Sequence, residues 1–280
     1  MDWQQAQKEL LSRLSTLYED REAAVITDWV MEQLTGWKKI DRLLHRSEPL
    51  PPAAIGQLKK YTEELLRHRP VQYVLQESWF CGMKFYVDER VLIPRPETEE
   101  LVEWIAAEAR PSSLLDVGTG SGCIAISLKK KLNALTVHAC DLSEGALAVA
   151  RQNATTLDAD IRFQQIDFLR EEQWQHLPTV DLLVSNPPYI PITEKAGMAP
   201  HVVGFEPHLA LFVEDNDPLV FYQKLAGFAN RKLAPGGSIF VEIHEELSGP
   251  VMELFRKNGF PQTIVKKDMQ GKDRMIKATR

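Results

Sequence analysis

Only three cysteines occur in the chain, Cys81, Cys123 and Cys140. They are odd in number and match no metal-ligand spacing, which excludes a disulfide-stapled scaffold and suits a reducing, cytoplasmic setting. Histidines are scattered. His244-Glu245 fails as half of a zinc-protease motif because position 248 is Ser, and no metal site is expected. No apolar run is long enough to span a bilayer. The polar start Met1-Asp2-Trp3-Gln4-Gln5 lacks the basic and apolar regions of a signal peptide. Excess positive charge is missing too: the net charge is −6, which argues against a nucleic-acid partner gripped by its phosphates. Internal repeats and low-complexity tracts are absent. What is present is a chain of 280 residues, 44% hydrophobic and 26% charged, enough for one large domain or a core with an accessory domain.

Residues 1 to about 75 read as helical. Leu10, Leu11, Leu14 and Leu17 recur at helical spacing, as do Val25, Ile26, Trp29, Val30 and Leu34, with Gly36 as a stop. Pro51-Pro52 opens a further helix carrying Ile55, Leu58, Tyr61, Leu65 and Leu66, and Pro70 ends it. Acidic and basic residues balance over this stretch, so a small bundle that meets a protein is expected there. From Gln72 to Val91 the pattern changes, and Trp79, Phe80, Phe85, Tyr86 and Val87 around Cys81-Gly82-Met83-Lys84 predict a β-hairpin. The expected division is thus a helical domain over 1–75, a hairpin linker over 76–96 and a main domain over 97–280. In the main domain a helix is expected from Glu97 to Arg110. Strands near 113–117, 136–140, 161–166, 180–185 and 238–243 then alternate with helices near 122–131, 143–156, 217–233 and 246–258. Alternation of this kind makes an α/β fold with a mostly parallel sheet covered on both faces. Thr263 to Lys267 and Met275 to Thr279, around Gln270-Gly271-Lys272-Asp273, read as an antiparallel hairpin on the sheet edge.

Two motifs carry chemistry. Leu114-Leu115-Asp116-Val117-Gly118-Thr119-Gly120-Ser121-Gly122 is a strand running into a glycine-rich turn and a helix. A dinucleotide fold would space its glycines G-x-G-x-x-G to admit pyrophosphate. Here the third glycine comes one residue early, and Asp116 stands just before the turn. A carboxylate there would repel pyrophosphate and attract a cationic amino-acid moiety, which S-adenosyl-L-methionine has. Asp141, ending the second strand, can accept from both ribose hydroxyls, or else cap the helix beginning near Ser143. Asp167, after the third strand, can accept from the adenine amino group. Phe168 can stack on the ring or be ordinary core. The second motif, Asn186-Pro187-Pro188-Tyr189, follows the apolar run 180–185 and so falls at a strand's C-terminal end, where open α/β sheets bind ligands. Consecutive prolines hold Asn186 and Pro187 extended. The result is a stiff ledge whose acceptors, the Asn186 side-chain oxygen and the Pro187 carbonyl, suit a planar –NH2 group beside the Tyr189 ring. A plain strand-ending turn is the other reading.

In this register the chain resembles the Rossmann-like S-adenosylmethionine-dependent methyltransferases, and among them the bacterial release-factor glutamine methyltransferases. Three segments carry the resemblance: Leu92-Ile93-Pro94-Arg95-Pro96-Glu97-Thr98-Glu99, Asp116 to Gly122, and Asn186 to Tyr189. Phe205-Glu206-Pro207 and Gln270-Gly271-Lys272-Asp273-Arg274 also look familial. One departure is Phe168, where relatives often have tryptophan. The resemblance implies methyl transfer to the side-chain nitrogen of the Gly-Gly-Gln glutamine in class-1 peptide chain release factors, with S-adenosyl-L-homocysteine as product. It implies Asn186 and Pro187 as catalytic, and Asn186, Pro187, Pro188 and Tyr189 against the substrate. The cofactor set is Asp116, Gly118, Thr119, Gly120, Ser121, Gly122, Asp141, Asp167, Phe168 and Asn186. Release factors are then the partners, with no membrane and no direct nucleic-acid binding.

Other readings share parts of this pattern. A nucleic-acid amino methyltransferase has the same ledge, but it would need a basic groove. A ribosomal-protein glutamine methyltransferase would use the same chemistry, and only the Pro-Arg-Pro-Glu-Thr-Glu segment and the N-terminal region speak against it. A non-catalytic binding protein would have no reason to keep the glycines and Asn186 intact.

Overall fold

A computed structural model describes residues 1–214 and 217–280. The chain divides into two compact units, Met1–Gln76 with Ala199–Phe205, and Glu77–Met198 with Glu206–Arg280. Among the described residues no helix is long and apolar enough to cross a membrane.

The first unit is built from α1 (Trp3–Leu14), α2 (Asp20–Thr35), α3 (Lys39–Leu44), α4 (Pro52–Leu65) and α5 (Val71–Leu75). Local chemistry sets the ends. Asp2 and Gln5 form a reciprocal capping box at the start of α1. Gly36 closes α2 in the left-handed region, φ 67°. Pro52 opens α4 at a position where its missing N–H costs nothing. Trp3, Ala6, Leu10 and Leu14 of α1 meet Ala23, Ile26, Val30 and Met31 of α2 and Leu58 and Leu65 of α4 in one core. Of the apolar residues recurring along α2, Ile26 and Val30 are buried while Val25 and Trp29 are exposed. Gln72 to Leu75, read as the approach to the hairpin, form the single helical turn α5. Pro70 precedes that turn, and Val71, Tyr73 and Val74 are buried in it.

The second unit opens with the hairpin β1 (Ser78–Phe80) and β2 (Met83–Phe85). Cys81 and Gly82 both take positive φ in its turn, the geometry that matches strand twist. Then come α6 (Pro96–Glu108), β3 (Ser113–Val117), α7 (Cys123–Lys131), β4 (Thr136–Asp141), α8 (Glu144–Thr156), β5 (Ile161–Gln165) and β6 (Val180–Ser185). The two-residue β7 (Ile190–Pro191) is followed by α9 (Pro200–Phe205), part of the first unit, then by α10 (His208–Leu211) and by β8 (Phe212–Val213), which pairs with β7. The chain ends with α11 (Val220–Lys232), β9 (Leu233–Glu242), α12 (Ser248–Lys257), β10 (Gln262–Lys267) and β11 (Asp273–Thr279).

Seven strands form the main sheet in the order β10-β11-β9-β6-β3-β4-β5. Five neighbours pair in parallel, β11 runs antiparallel to β9, and β10 pairs antiparallel with β11 on the edge, which gives it the direction of the five. Strand alternation splits the core between the two faces. Leu115, Val117, Leu183, Ile239 and Val241 pack with α11 and α12, while Leu114, Leu182, Val184 and Phe240 pack with α6 and α7. One strand is longer than the sequence suggests: β9 starts at Leu233, five residues before Ser238. Its Pro235-Gly236-Gly237 segment is absorbed by an irregularity opposite Val180 to Leu182. A Cβ at Gly237 would lie 2.8 Å from the Asp181 carbonyl, so only glycine passes there. Strand order proceeds outward from β3 through β4 to β5 on one side and jumps to β6 on the other. The crevice at that switch, beyond the strands' C-terminal ends, is where such sheets bind ligands.

Candidate active site

Both sequence motifs fall at that switch. Val117 pairs with Ser185 in the β3–β6 register, so the turn from Gly118 and the ledge from Asn186 leave the sheet side by side. Gly118, Gly120 and Gly122 all take positive φ. A Cβ at Gly118 or Gly120 would meet only open space, while one at Gly122 would press on Ile126 at 3.1 Å and Ala150 at 3.3 Å. Gly122 is therefore glycine so that α7 can approach α8, whereas Gly118 and Gly120 border free volume.

Asp141 fastens this turn. Its Oδ2 accepts from the Gly120 amide at 2.9 Å, and its Oδ1 accepts from the Ser143 amide at 2.9 Å. The cap of α8 is Ser143, whose hydroxyl accepts from Ala146 N at 3.1 Å, so the capping alternative for Asp141 falls away. Burial raises the Asp141 carboxyl, opposed by those amides. Asn153 of α8, which the sequence reading did not single out, is a second brace. Its Nδ2 donates to the Ser121 carbonyl at 2.9 Å and the Tyr86 carbonyl at 3.0 Å, and its Oδ1 accepts from Tyr86 N at 2.7 Å. A lone amide on the buried face of α8 was the available signal.

Asp116 is fully buried, with Thr119 Oγ1 donating to its Oδ2 at 2.7 Å. Among the described residues its Oδ1 and the Ser121 hydroxyl, also buried, make no hydrogen bond of ordinary geometry, although the Ala125 amide lies close enough to lower the Asp116 carboxyl, and Ser121 to lower the Cys123 thiol. Weakly paired polar atoms in a dry interior are costly, and two of them beside a turn bordering free volume fit a site that takes a polar, cationic ligand. Burial pushes the Asp116 carboxyl up to about 7, against the Thr119 hydroxyl. In the unfolded chain it ionises near pH 4, so its stabilising contribution is full below that pH and is lost as pH rises toward 7, by up to about 4 kcal/mol. Asp116→Asn should therefore gain in melting temperature relative to wild type between pH 4 and pH 8 without ligand. A difference that stays constant with pH would show that Asp116 carries no such burden.

Asp167 lies two residues beyond β5. Its Oδ1 accepts from Leu169 N at 3.2 Å and its Oδ2 pairs with Arg170 at 3.1 Å. Phe168 is 5% exposed and packs against Trp174 and Phe228 at 5.5 and 5.4 Å between ring centroids. Of the two readings left open, the structure displays core packing.

On the ledge, Asn186 Nδ2 donates to Thr98 Oγ1 at 3.0 Å. Among the described residues, neither Asn186 Oδ1 nor the Pro187 carbonyl accepts a hydrogen bond from the protein. Pro187 is buried, and Pro188 is partly so. The Tyr189 hydroxyl donates to Glu242 Oε1 at 3.1 Å, and burial together with the Glu242 charge raises its pKa. The tyrosine thus keeps its hydroxyl for the protein, and its ring lies 6.1 Å from the His244 ring. Thr98 Oγ1 in turn donates to Glu242 Oε2 at 2.6 Å. Glu242, unflagged by the sequence reading, was visible as a single acid inside the apolar run 239–243. The other familial segments close in nearby: Arg95 pairs with the buried Glu206 at 2.6 Å, and the Arg274 charge lowers the Glu242 carboxyl against the burial that raises it.

A parallel sheet of this order with a glycine turn, an acid-clamped loop and an Asn-Pro-Pro-Tyr ledge at the switch defines a Rossmann-like methyltransferase. A methyltransferase from Pyrococcus furiosus shares the fold, with a TM-score of 0.51 at 20% identity over 71% of this chain and 89% of that one. Residues 96–201 match the methyltransferase small domain family and residues 5–75 the PrmC N-terminal domain family. The release factor glutamine methyltransferase of Flavobacterium psychrophilum is 42% identical over 96% of both chains. That of Bacteroides thetaiotaomicron is 39% identical over 95% of this chain and 96% of its own. The chain belongs to the release factor glutamine methyltransferase family. S-adenosylmethionine is the methyl donor in this class.

Proposed function

We propose that the Asn186 ledge receives the glutamine side chain of a class-1 peptide chain release factor and aligns its amide nitrogen for methylation. The enzyme transfers a methyl group from S-adenosyl-L-methionine to the release-factor glutamine. The acceptor is the glutamine of the Gly-Gly-Gln loop, and the setting is the cytoplasm. The observation that carries this reading is the pair of acceptors, Asn186 Oδ1 and the Pro187 carbonyl, left without a donor among the described residues next to the glycine turn.

An amide nitrogen is a poor nucleophile because its lone pair is shared with the carbonyl. Its two N–H groups match the two free acceptors. Donating to both turns the nitrogen toward the turn and favours positive charge as it builds there. Holding the reacting atoms in line supplies about 7–11 kcal/mol at best. S-adenosylmethionine supplies the methyl group from a sulfonium, already activated as an electrophile. Gly118 to Gly122, Asp116 and Asp141 would hold it: the buried acid beside the cationic end, and Asp141 at the ribose with the lone pairs its two amide bonds leave free. Asp167 lies beyond that, toward the adenine, while Phe168 supports the wall from within the core. The nitrogen loses its extra proton only after the N–CH3 bond forms, so no strong base is needed.

The first unit is proposed to grip the release factor away from the reacting glutamine. A ribosomal-protein glutamine substrate would meet the same ledge, and no feature of the site favours it.

Mass spectrometry of release factor incubated with the enzyme and S-adenosylmethionine should show a gain of one methyl on that glutamine. A release factor with glutamate in its place should gain none, because a carboxylate offers no N–H to two acceptors. Methylated DNA or ribosomal RNA alongside an unmodified glutamine would overturn the assignment.

A further inference from the structure

We infer that Thr98 and Glu242 act as a positioning relay that fixes which end of the Asn186 carboxamide faces the substrate. The inference rests on the proposed role of the ledge and extends it by two residues. Proton counting carries it. Thr98 Oγ1 has one proton and lies 2.6 Å from Glu242 Oε2 and 3.0 Å from the Asn186 amide. An ionised carboxylate only accepts. In its ionised form, which the Thr98 and Tyr189 hydroxyls and the Arg274 charge favour against burial, Glu242 accepts from the Thr98 hydroxyl, and Thr98 can then only accept from its other neighbour. That neighbour must be the –NH2 end of Asn186, which leaves Oδ1 turned away and free to receive a substrate N–H. Thr98 and Glu242 are 2% and 1% exposed, so water cannot substitute for either partner.

Protonating Glu242 reverses the chain. A carboxylic acid can donate to Thr98, whose own hydroxyl then donates to Asn186, and the carboxamide has to present Oδ1 to it and turn its –NH2 outward. Two donors would then confront the donors of the substrate amide. The groups that act on Glu242 come from every side. Tyr189 donates to Oε1, and Tyr222 of α11 donates to the Glu242 main-chain carbonyl at 3.0 Å. Arg274 of β11, held by Asp268 at 3.2 Å, favours the ionised form, and Glu97 of α6 opposes it. Burial is the largest influence and raises the carboxyl, which brings the reversal closer to neutral pH. A falling kcat on the acid side is expected.

Thr98→Val and Thr98→Ser separate positioning from packing. Valine keeps the shape and loses the hydroxyl; serine keeps the hydroxyl and loses a methyl. The relay requires kcat on release factor to fall about 10- to 100-fold in Thr98→Val, the scale of a misplaced reacting group, with cofactor affinity unchanged by calorimetry. Thr98→Ser should restore most of the rate. A packing role would give the opposite order, with valine active and serine impaired. In Glu242→Gln, which carries no titrating group, the acid limb of the kcat profile should disappear. Wild-type kcat in Thr98→Val, or a Thr98→Ser no more active than Thr98→Val, would refute the relay. Because wild-type enzyme would still methylate the glutamine in that case, such a failure is distinct from failure of the proposed function.

Discussion

Asn186→Ala should lower kcat by about a hundredfold or more, the loss seen when one contact to developing charge is deleted. Cofactor affinity should change little. The asymmetry follows from what the side chain touches. Its Nδ2 is tied to Thr98 and its Oδ1 is the free acceptor at the end of β6. Under the proposed reading, a substrate N–H donated to Oδ1 would be held more strongly as the amide nitrogen gains positive charge, and only interactions stronger in the transition state than in the ground state accelerate the chemistry. KM should therefore move less than kcat. Tyr189→Ala should show the reverse weighting, because its hydroxyl serves Glu242 and, on the proposed reading, its ring supplies only surface to the substrate. Steady-state rates with release factor and calorimetry with S-adenosylmethionine check both. Turnover at the wild-type rate in Asn186→Ala would remove the ledge from the chemistry.

Much of the second unit was legible because its signals are local. β3 and β6 are short apolar runs bounded by a glycine turn and by Asn-Pro, and periodicity alone delimits them. Glycine spacing located the turn, and Pro187-Pro188 located the ledge. What was not legible depends on pairing across long stretches of chain. Thr98 and Glu242 are 144 positions apart and meet only because α6 packs on the face of β9 near its end. Asn153 reaches the glycine turn across 32 positions, and nothing in its own helix announces a partner. Phe168 illustrates the converse. Its place after β5 suits a ring against adenine, yet Trp174 and Phe228 lie within the same core and pack against it. In the first unit helical spacing grouped Val25, Ile26, Trp29, Val30 and Leu34 on α2 without saying which of them are covered. The bundle covers Ile26 and Val30 and leaves Val25 and Trp29 in water, because a two-sided contact with α1 and α4 buries only part of the circumference.

Removing residues 1–76 should abolish methylation of folded release factor, with kcat/KM falling on the order of a thousandfold, since remote binding energy is what positions a small reacting group. Cofactor affinity should persist, because the glycine turn, Asp116, Asp141 and the ledge all belong to the second unit, which has its own two cores. A glutamine side chain alone offers too little surface for selectivity among proteins. The first unit has surface to spare: Val25, Trp29, Ile40, Leu43 and Leu44 are all at least 41% exposed. Its charges balance, which favours a protein face over a polyphosphate. The deletion also strips the segment Ala199–Phe205 of the unit it belongs to, so a point variant is needed beside it. Trp29→Glu combined with Leu44→Glu alters only exposed positions and should leave the melting temperature nearly unchanged. If these side chains contact the release factor, KM should rise about tenfold, the cost of about 1.4 kcal/mol of lost apolar contact, with kcat on saturating substrate retained. Equal kcat/KM for the truncated and complete enzymes would show the helical unit to be a structural appendage, and the grip on the release factor would then have to lie in the sheet domain itself.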